Sequence, residues 1–391
     1  MPYNNLSEEG TANLSFFNIA NYKFYICGLF ISLPLFLSVS GSGFSLPDSH
    51  YKMSGIPLHL NIISLLIILP HIKYSNSFFL VFFLFLSYLI LSAFQTFDRV
   101  QIFVQSVYFF IFYFCLNSLN RTQIISISRG AIYSLLVFCI AHLLSIIINS
   151  GGSPTGMLSQ GSEIWGFKIY QSYLTYPAVM TLGLFLYVND IDYNNKLFWI
   201  FVFVVMCIEL ALIRRVGLGI FFIFLILYRP HITFLLGIVI VFITLLSIIY
   251  EFGLDLNEVL DAASIIIGRI FDGDFTRKMT WERSIGYLNE VDILLIGNGL
   301  NNHSHNWFMH TLTGQGIFYS IALFSSIAYV LKDFFVHTRY EIKQLMFIII
   351  FIMIDWNLNA NLYQPYYAGM FALVFITTKK SSIYKKNINE I

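Results

Sequence analysis

Long apolar runs, separated by short polar segments, repeat along most of this chain. Many of these runs are about 20 residues long, which is the length that a helix needs to cross a bilayer. Their apolar positions are continuous rather than alternating, which predicts membrane-spanning helices and not a β-barrel. The pattern predicts about twelve spans, at 23–40, 56–72, 77–94, 99–118, 130–149, 170–188, 197–213, 215–229, 232–250, 306–331, 344–358 and 364–378.

The composition leads to the same class. Of the 391 residues, 57% are hydrophobic and 11% are charged, and the mean hydropathy is +0.73. Soluble domains usually carry about 25% charged residues. We therefore predict an all-α polytopic membrane protein whose residues 1–391 form a single integral membrane domain. The net charge of +1 and the lack of a basic tract give no reason to expect a nucleic-acid partner.

The cysteines and the N-terminus are less informative. Cys27, Cys115, Cys139 and Cys207 lie far apart inside apolar runs and lack any metal-binding spacing, so they are predicted to be small buried hydrophobic residues. The first ten residues, MPYNNLSEEG, are polar and acidic, unlike a cleavable signal peptide. The first helix is therefore expected to remain in the mature protein.

The basic residues predict the orientation, because cytoplasmic loops of membrane proteins are enriched in lysine and arginine. The enrichment favours both termini in the cytoplasm, since the tail KKSSIYKKN then lies inside. The outer side receives the Arg214–Arg215 pair, the long loop 251–304 and His305. The other basic residues of the inner side are Lys73, Arg121, Arg129, Lys196, Arg229, Lys332, Arg339 and Lys343.

Two outer loops differ in character. Loop 150–169 is rich in glycine and serine and is predicted to be irregular or mobile. Loop 251–304 contains TWERSIGYLNEV, which has the spacing of an amphipathic helix and places Arg277 and Trp281 on one face. Gly297 and Gly299 then predict a turn before the next apolar helix.

Arginines beside the apolar runs have two interpretations. Arg214 and Arg215 lie at the junction of two predicted spans, where they either reach lipid phosphates or hold a substrate phosphate. Arg277 and Arg283 belong either to a solvated basic helix, with Trp281 in the membrane interface, or to a phosphate site suited to planar guanidinium groups.

His305 and Asn306 open the predicted helix that follows the long loop. A histidine titrates near neutral pH and can accept a proton from a hydroxyl group, and Asn306 is placed to orient it or a substrate. The plainer alternative is an exposed histidine at a helix cap. With His303 and His310 the run forms only a weak metal-binding pattern, so no metal site is expected.

Four short motifs follow one another between residues 200 and 330. IRRVGLG is an arginine turn between two spans, and Arg277-x-x-x-Trp281 follows in the large outer loop. IGNGL and HNWFMHTLTGQG come next, the second leading into a helix with paired glycines. In this order the motifs resemble those of the O-antigen polymerase and O-antigen ligase superfamily of bacterial envelopes.

This resemblance implies a GT-C-type glycosyltransferase of the bacterial inner membrane that needs no metal or other cofactor. It implies an active site on the periplasmic side, lipid-linked glycan on undecaprenyl pyrophosphate as the substrate, and a chain-length regulator among the partners of such polymerases. Arg214 stands where the family commonly has serine or threonine, which leaves open which arginine of the pair is equivalent. The catalytic candidates are His305, Arg277 and Arg215, and the substrate-binding candidates are Arg214, Trp281, Asn306 and Arg283.

Three functions fit a chain of this kind. A polymerase adds glycan to the next lipid-linked repeat unit, whereas a ligase transfers it to lipid A–core. The abundance of Phe, Ile, Tyr and Asn is typical of divergent polymerases and favours the first. A lipid-linked sugar flippase is the alternative from another class, and it would need polar residues throughout its spans and internal repeats.

Overall fold

The computed structural model describes the chain in twelve main ranges with gaps between them. They are 19–31, 36–38, 57–59, 61–72, 109–149, 162–164, 167–169, 196–211, 215–228, 275–297, 306–337 and 365–389, together with the positions 82, 237, 346, 348–349 and 352–353. The predicted spans 77–94, 170–188 and 232–250 and most of 344–358 lie outside the described residues.

The described ranges are overwhelmingly helical, as predicted. Two of the helices, α5 and α6, match the predicted spans 197–213 and 215–229 to within two residues. The helices are α1 Ile19–Ile31, α2 Ile62–Ile68 with a 3₁₀ turn Leu69–His71, α3 Phe109–Ser118, α4 Arg121–Asn149, α5 Lys196–Ala211, α6 Arg215–Tyr228, α7 Phe275–Tyr287, α8 Val291–Ile296, α9 Trp307–His337 and α10 Pro365–Asn389.

Two stretches within the described ranges are long and apolar enough to cross a membrane. They are Arg121–Ala141 in α4 and Phe308–His337 in α9. Cys27, Cys115 and Cys139 form no disulfide and are fully buried, which confirms their prediction as small buried residues, whereas Cys207 is only half-buried. The helical class and the presence of spanning-length helices therefore agree with the sequence pattern.

The predicted start of the span 130–149 is wrong by nine residues, because α4 begins at Arg121. Asn120 caps this helix: its side-chain oxygen accepts a hydrogen bond from the backbone N–H of Gln123 at 2.9 Å. The side chain of Gln123 in turn accepts one from the backbone N–H of Asn120 at 2.9 Å. This reciprocal capping box satisfies N–H groups that have no partner within the helix, and it fixes the helix start close behind α3.

Two short strand pairs depart from the all-α prediction. Strand β1, Phe36–Ser38, pairs antiparallel with β2, Pro57–His59, although both lie within predicted helical spans. Pro34, in the interior of the first of these spans, explains the error there, since proline lacks the N–H group that a helix interior requires. In the loop predicted to be irregular, β3, Ser162–Ile164, pairs with β4, Phe167–Ile169.

Small residues bring α1 and α4 into backbone contact. A Cβ atom at Gly28 would lie 2.9 Å from Gly130 Cα, and one at Gly130 would lie 3.0 Å from Gly28 Cα. Ser134 donates a hydrogen bond to the Leu29 carbonyl at 2.7 Å across the same crossing. Close approach through small residues and serine is typical of packing between membrane helices, so α1 and α4 form the tightest described helix pair.

A polar cluster joins α3, α9 and α10. The Asp333 carboxylate accepts hydrogen bonds from the Tyr113 hydroxyl at 2.6 Å and from the Lys379 ammonium at 2.5 Å. Lys380 donates to the Leu119 carbonyl at 2.6 Å. The helix extends beyond the predicted span 364–378, since α10 continues to Asn389, and Lys379 at the start of the tail is only 8% exposed.

We expect Asp333→Asn to lower the stability of the protein by about 2 kcal/mol, because the Lys379 ammonium loses its charged acceptor. Unfolding in mixed micelles measures this difference. Lys332→Met, one residue away and exposed, is the matched control and should change stability by less than about 0.5 kcal/mol. The double variant Asp333→Leu with Lys379→Met should be less harmful than Asp333→Asn, since it leaves no buried charge behind. Equal stability of Asp333→Asn and the wild type would contradict this role.

Candidate functional site

The site is built from α7, α8 and the start of α9. Helix α7 continues into a compact turn in which the backbone N–H groups of Leu288 and Asn289 donate to the Ile285 and Gly286 carbonyls, each at 3.1 Å. The sequence analysis predicted one helix through this turn. The chain instead breaks there and resumes as α8, which ends at Gly297.

The entry to α9 is fixed by Asn306. Its side-chain oxygen accepts a hydrogen bond from the Met309 N–H at 2.9 Å, and its carbonyl accepts one from the His310 N–H at 2.8 Å. These bonds make Asn306 the N-cap of α9, a position that asparagine strongly favours. The prediction that a helix begins at this point is confirmed, and the cap accounts for the asparagine.

Helix α9 is not straight, because it folds at Gly316 (φ 81°, ψ 172°). The rings of Phe308 and Phe324 lie 5.3 Å apart. In a straight helix the separation of sixteen positions between them would correspond to about 24 Å. The two arms, 307–315 and 317–337, therefore fold back toward each other. The predicted continuous span 306–331 is wrong in its first part, and the second arm, about 31 Å long, is the part that has spanning length.

Gly297 packs directly on this fold. A Cβ atom at Gly297 would lie 2.5 Å from Gln315 N, and one at Gly316 would lie 2.6 Å from the Leu295 carbonyl carbon. Both glycines have φ near 80° and ψ near 170°, a backbone region that is essentially restricted to glycine. The IGNGL and TGQG motifs, separated in the sequence, thus form one contact, which we call the glycine clasp (residues 295–297 with 314–316).

The first arm of α9 is unusually polar for a buried helix. Thr313 is completely buried, and its hydroxyl donates to the Met309 carbonyl at 2.7 Å. The other buried polar side chains of residues 306–315 are Asn306, His310, Thr311 and Gln315. Buried polar side chains are costly unless they are hydrogen-bonded, so their concentration here makes this arm a candidate functional region.

Helix α7 packs against α9, and α7 carries three of the predicted site residues. Arg277 and Trp281 both lie in α7, in agreement with the prediction that they share a helix face. Arg277 is seven positions before Ser284, which is fully buried, so the two positions lie on the same side of the helix. Trp281 is 37% exposed and Arg283 is exposed.

The remaining predicted residues are placed only in part. Arg215 is the first residue of α6. Arg214 and His305 lie outside the described residues, with His305 immediately before the Asn306 cap. Among the described residues no group of three or more His, Cys, Asp or Glu side chains could hold a metal ion.

The paired glycines are visible in the sequence, but the sequence pattern predicted no role for them. A signal was present, since a glycine inside a helical pattern has a packing or functional reason in many proteins. The polar run HTLTGQG within a predicted span was a second signal. Neither signal indicates that α8 is the element that packs against these glycines of α9. Comparison of the sequence with known protein families and with curated proteins gave no match.

Proposed function

We propose that this chain is an O-antigen polymerase, a glycosyltransferase that joins lipid-linked repeat units of a surface polysaccharide. It acts in the bacterial inner membrane, with about twelve spans, both termini in the cytoplasm and its active site on the periplasmic side. The observation that carries the proposal is the glycine clasp. It joins α8, which follows the helix that carries Arg277 and Trp281, to the first arm of α9, which begins at Asn306. The family resemblance connects these motifs only by their order.

The proposed chemistry follows from the residue types. The bond between the sugar and the carrier pyrophosphate breaks, and the acceptor hydroxyl oxygen forms the new glycosidic bond. Arg277 and Arg215 stabilise the negative charge that develops on the leaving pyrophosphate. His305 accepts the proton of the acceptor hydroxyl, which is a poor nucleophile without a base. Arg214, Arg283, Trp281 and Asn306 serve substrate binding in this proposal, Asn306 through its helix cap.

Two further features of the fold support the proposal. The polar cluster at Asp333 gathers the ends of α3, α9 and α10, and the lysines of α9 and α10 in this region, Lys332, Lys379 and Lys380, are predicted to share the cytoplasmic side. Phe308, Ile285 and Leu295, near the site, are exposed, as expected of surfaces that meet membrane lipids or the isoprenoid chain of a carrier.

A deletion strain tests this function against its rivals. A polymerase acts before transfer to the cell surface, so its loss should leave lipid A–core carrying a single repeat unit. We expect this one-step lipopolysaccharide pattern on a gel, with the full ladder restored by the wild-type chain. Bare core with long polymer on the carrier would identify a ligase instead. Loss of all periplasmic repeat units would identify a flippase.

A further inference from the structure

We propose that Gly297 and Gly316 are positioning residues of the transferase: their clasp holds the arginine-bearing helix α7 and the polar first arm of α9 in one fixed relation. The catalytic role of the clasp rests on the proposed function, whereas the contact between the two glycine segments is independent of it.

The clasp is a contact between backbones. Added Cβ atoms at Gly297 and Gly316 would meet main-chain atoms of the opposite segment, Gln315 N at 2.5 Å and the Ile296 carbonyl carbon at 2.7 Å. A main-chain atom cannot turn aside as a flexible side chain can. Any larger residue at either position must therefore move α8 away from α9.

The clasp also fixes the position of α7. The hydrogen-bonded turn 288–290 connects α7 rigidly to α8, and α7 itself lies against α9. A displacement at Gly297 is thus transmitted to the Arg277 position. At the other side, Gly316 sets the angle between the arms of α9, and the first arm begins at the Asn306 cap beside His305.

Alanine substitutions test the proposal. For Gly297→Ala and Gly316→Ala we expect kcat to fall about 100-fold, the loss that a displacement of about 1 Å can cause. KM for the lipid-linked donor should change less than kcat, because the displacement of α7 moves Trp281 and Arg283 without removing either side chain. The double variant should lose no more than the worse single variant, since both substitutions break the same contact.

Gly286→Ala is the matched control. Gly286 lies in α7, and a Cβ atom there would meet nothing within 4 Å. This variant should therefore keep the wild-type kcat. If Gly316→Ala fails to accumulate, Gly297→Ala carries the test, because Gly297 lies outside the arm that has spanning length.

Hydrogen exchange provides a readout that is independent of activity. Amides of residues 291–297 and 306–316 should exchange faster in both clasp variants. Their exchange rates should be unchanged in Gly286→Ala. Wild-type exchange and wild-type kcat in the clasp variants would overturn the proposal. Faster exchange with an unchanged kcat would also overturn it, since the clasp would then be structural only. A wild-type protein without transferase activity would instead refute the proposed function, while the exchange data would still test the contact.

Discussion

His305→Ala is expected to reduce glycan transfer by about 100- to 10,000-fold, the range that a general base contributes. The acceptor hydroxyl would lose the group that takes its proton, while the arginines that hold the donor pyrophosphate would remain. Donor binding should therefore be largely retained. Purified protein in proteoliposomes, supplied with lipid-linked repeat units, allows transfer and donor binding to be measured separately.

The neighbouring histidines provide the comparison for this variant. His303→Ala and His310→Ala should reduce transfer less than His305→Ala, with rates normalised to the amount of folded protein because His310 is buried. Transfer should also survive EDTA. An enzyme that EDTA inactivates and a divalent metal restores would return the His303–His305 pair to consideration as a metal site. A His305→Ala enzyme with near-normal turnover would exclude the histidine as the base.

Arg277→Ala and Arg215→Ala are each expected to lower kcat by about 100- to 1,000-fold, as the loss of one group that stabilises transition-state charge does in other enzymes. Lysine at either position should restore only part of the activity, because an ammonium group lacks the planar fork that binds two phosphate oxygens at once. The same proteoliposome assay measures both effects.

Arg283→Ala is the matched variant for Arg277→Ala, since both arginines belong to α7. Arg283 is exposed, and it lies six positions after Arg277, on a different face of α7 from the one that Arg277 shares with Trp281. Arg283→Ala should therefore be the milder substitution. Equal losses at the two positions would mean that α7 supplies positive charge in general. Near-normal activity of both Arg277→Ala and Arg215→Ala would leave contact with lipid phosphates as the better explanation of these arginines.

Local sequence patterns predicted well the features that depend on neighbouring residues. The helical class and the helices α5 and α6 follow from the length and the continuous apolar character of the runs, since strands of a barrel would alternate. The shared face of Arg277 and Trp281 follows from helical periodicity alone. The helix entry at Asn306 follows from a capping residue before an apolar run.

Errors arose where a local signal was present but overlooked. The pattern Asn120-x-x-Gln123 is a capping box, and it would have placed the start of α4 correctly. Pro34 argues against the helical assignment around β1. In both cases the apolar pattern was given more weight than the residues that begin or end a helix.

By itself, then, the sequence determined the helical class, the apolar helices and the residue types available for chemistry. Only the tertiary structure decided that α9 folds at Gly316, that Gly297 packs on that fold, and that Asp333 buries Lys379. Glycine permits the required backbone angles without demanding them, and a lysine is buried only if a carboxylate meets it. These outcomes depend on contacts between segments distant in the chain, which no local pattern specifies.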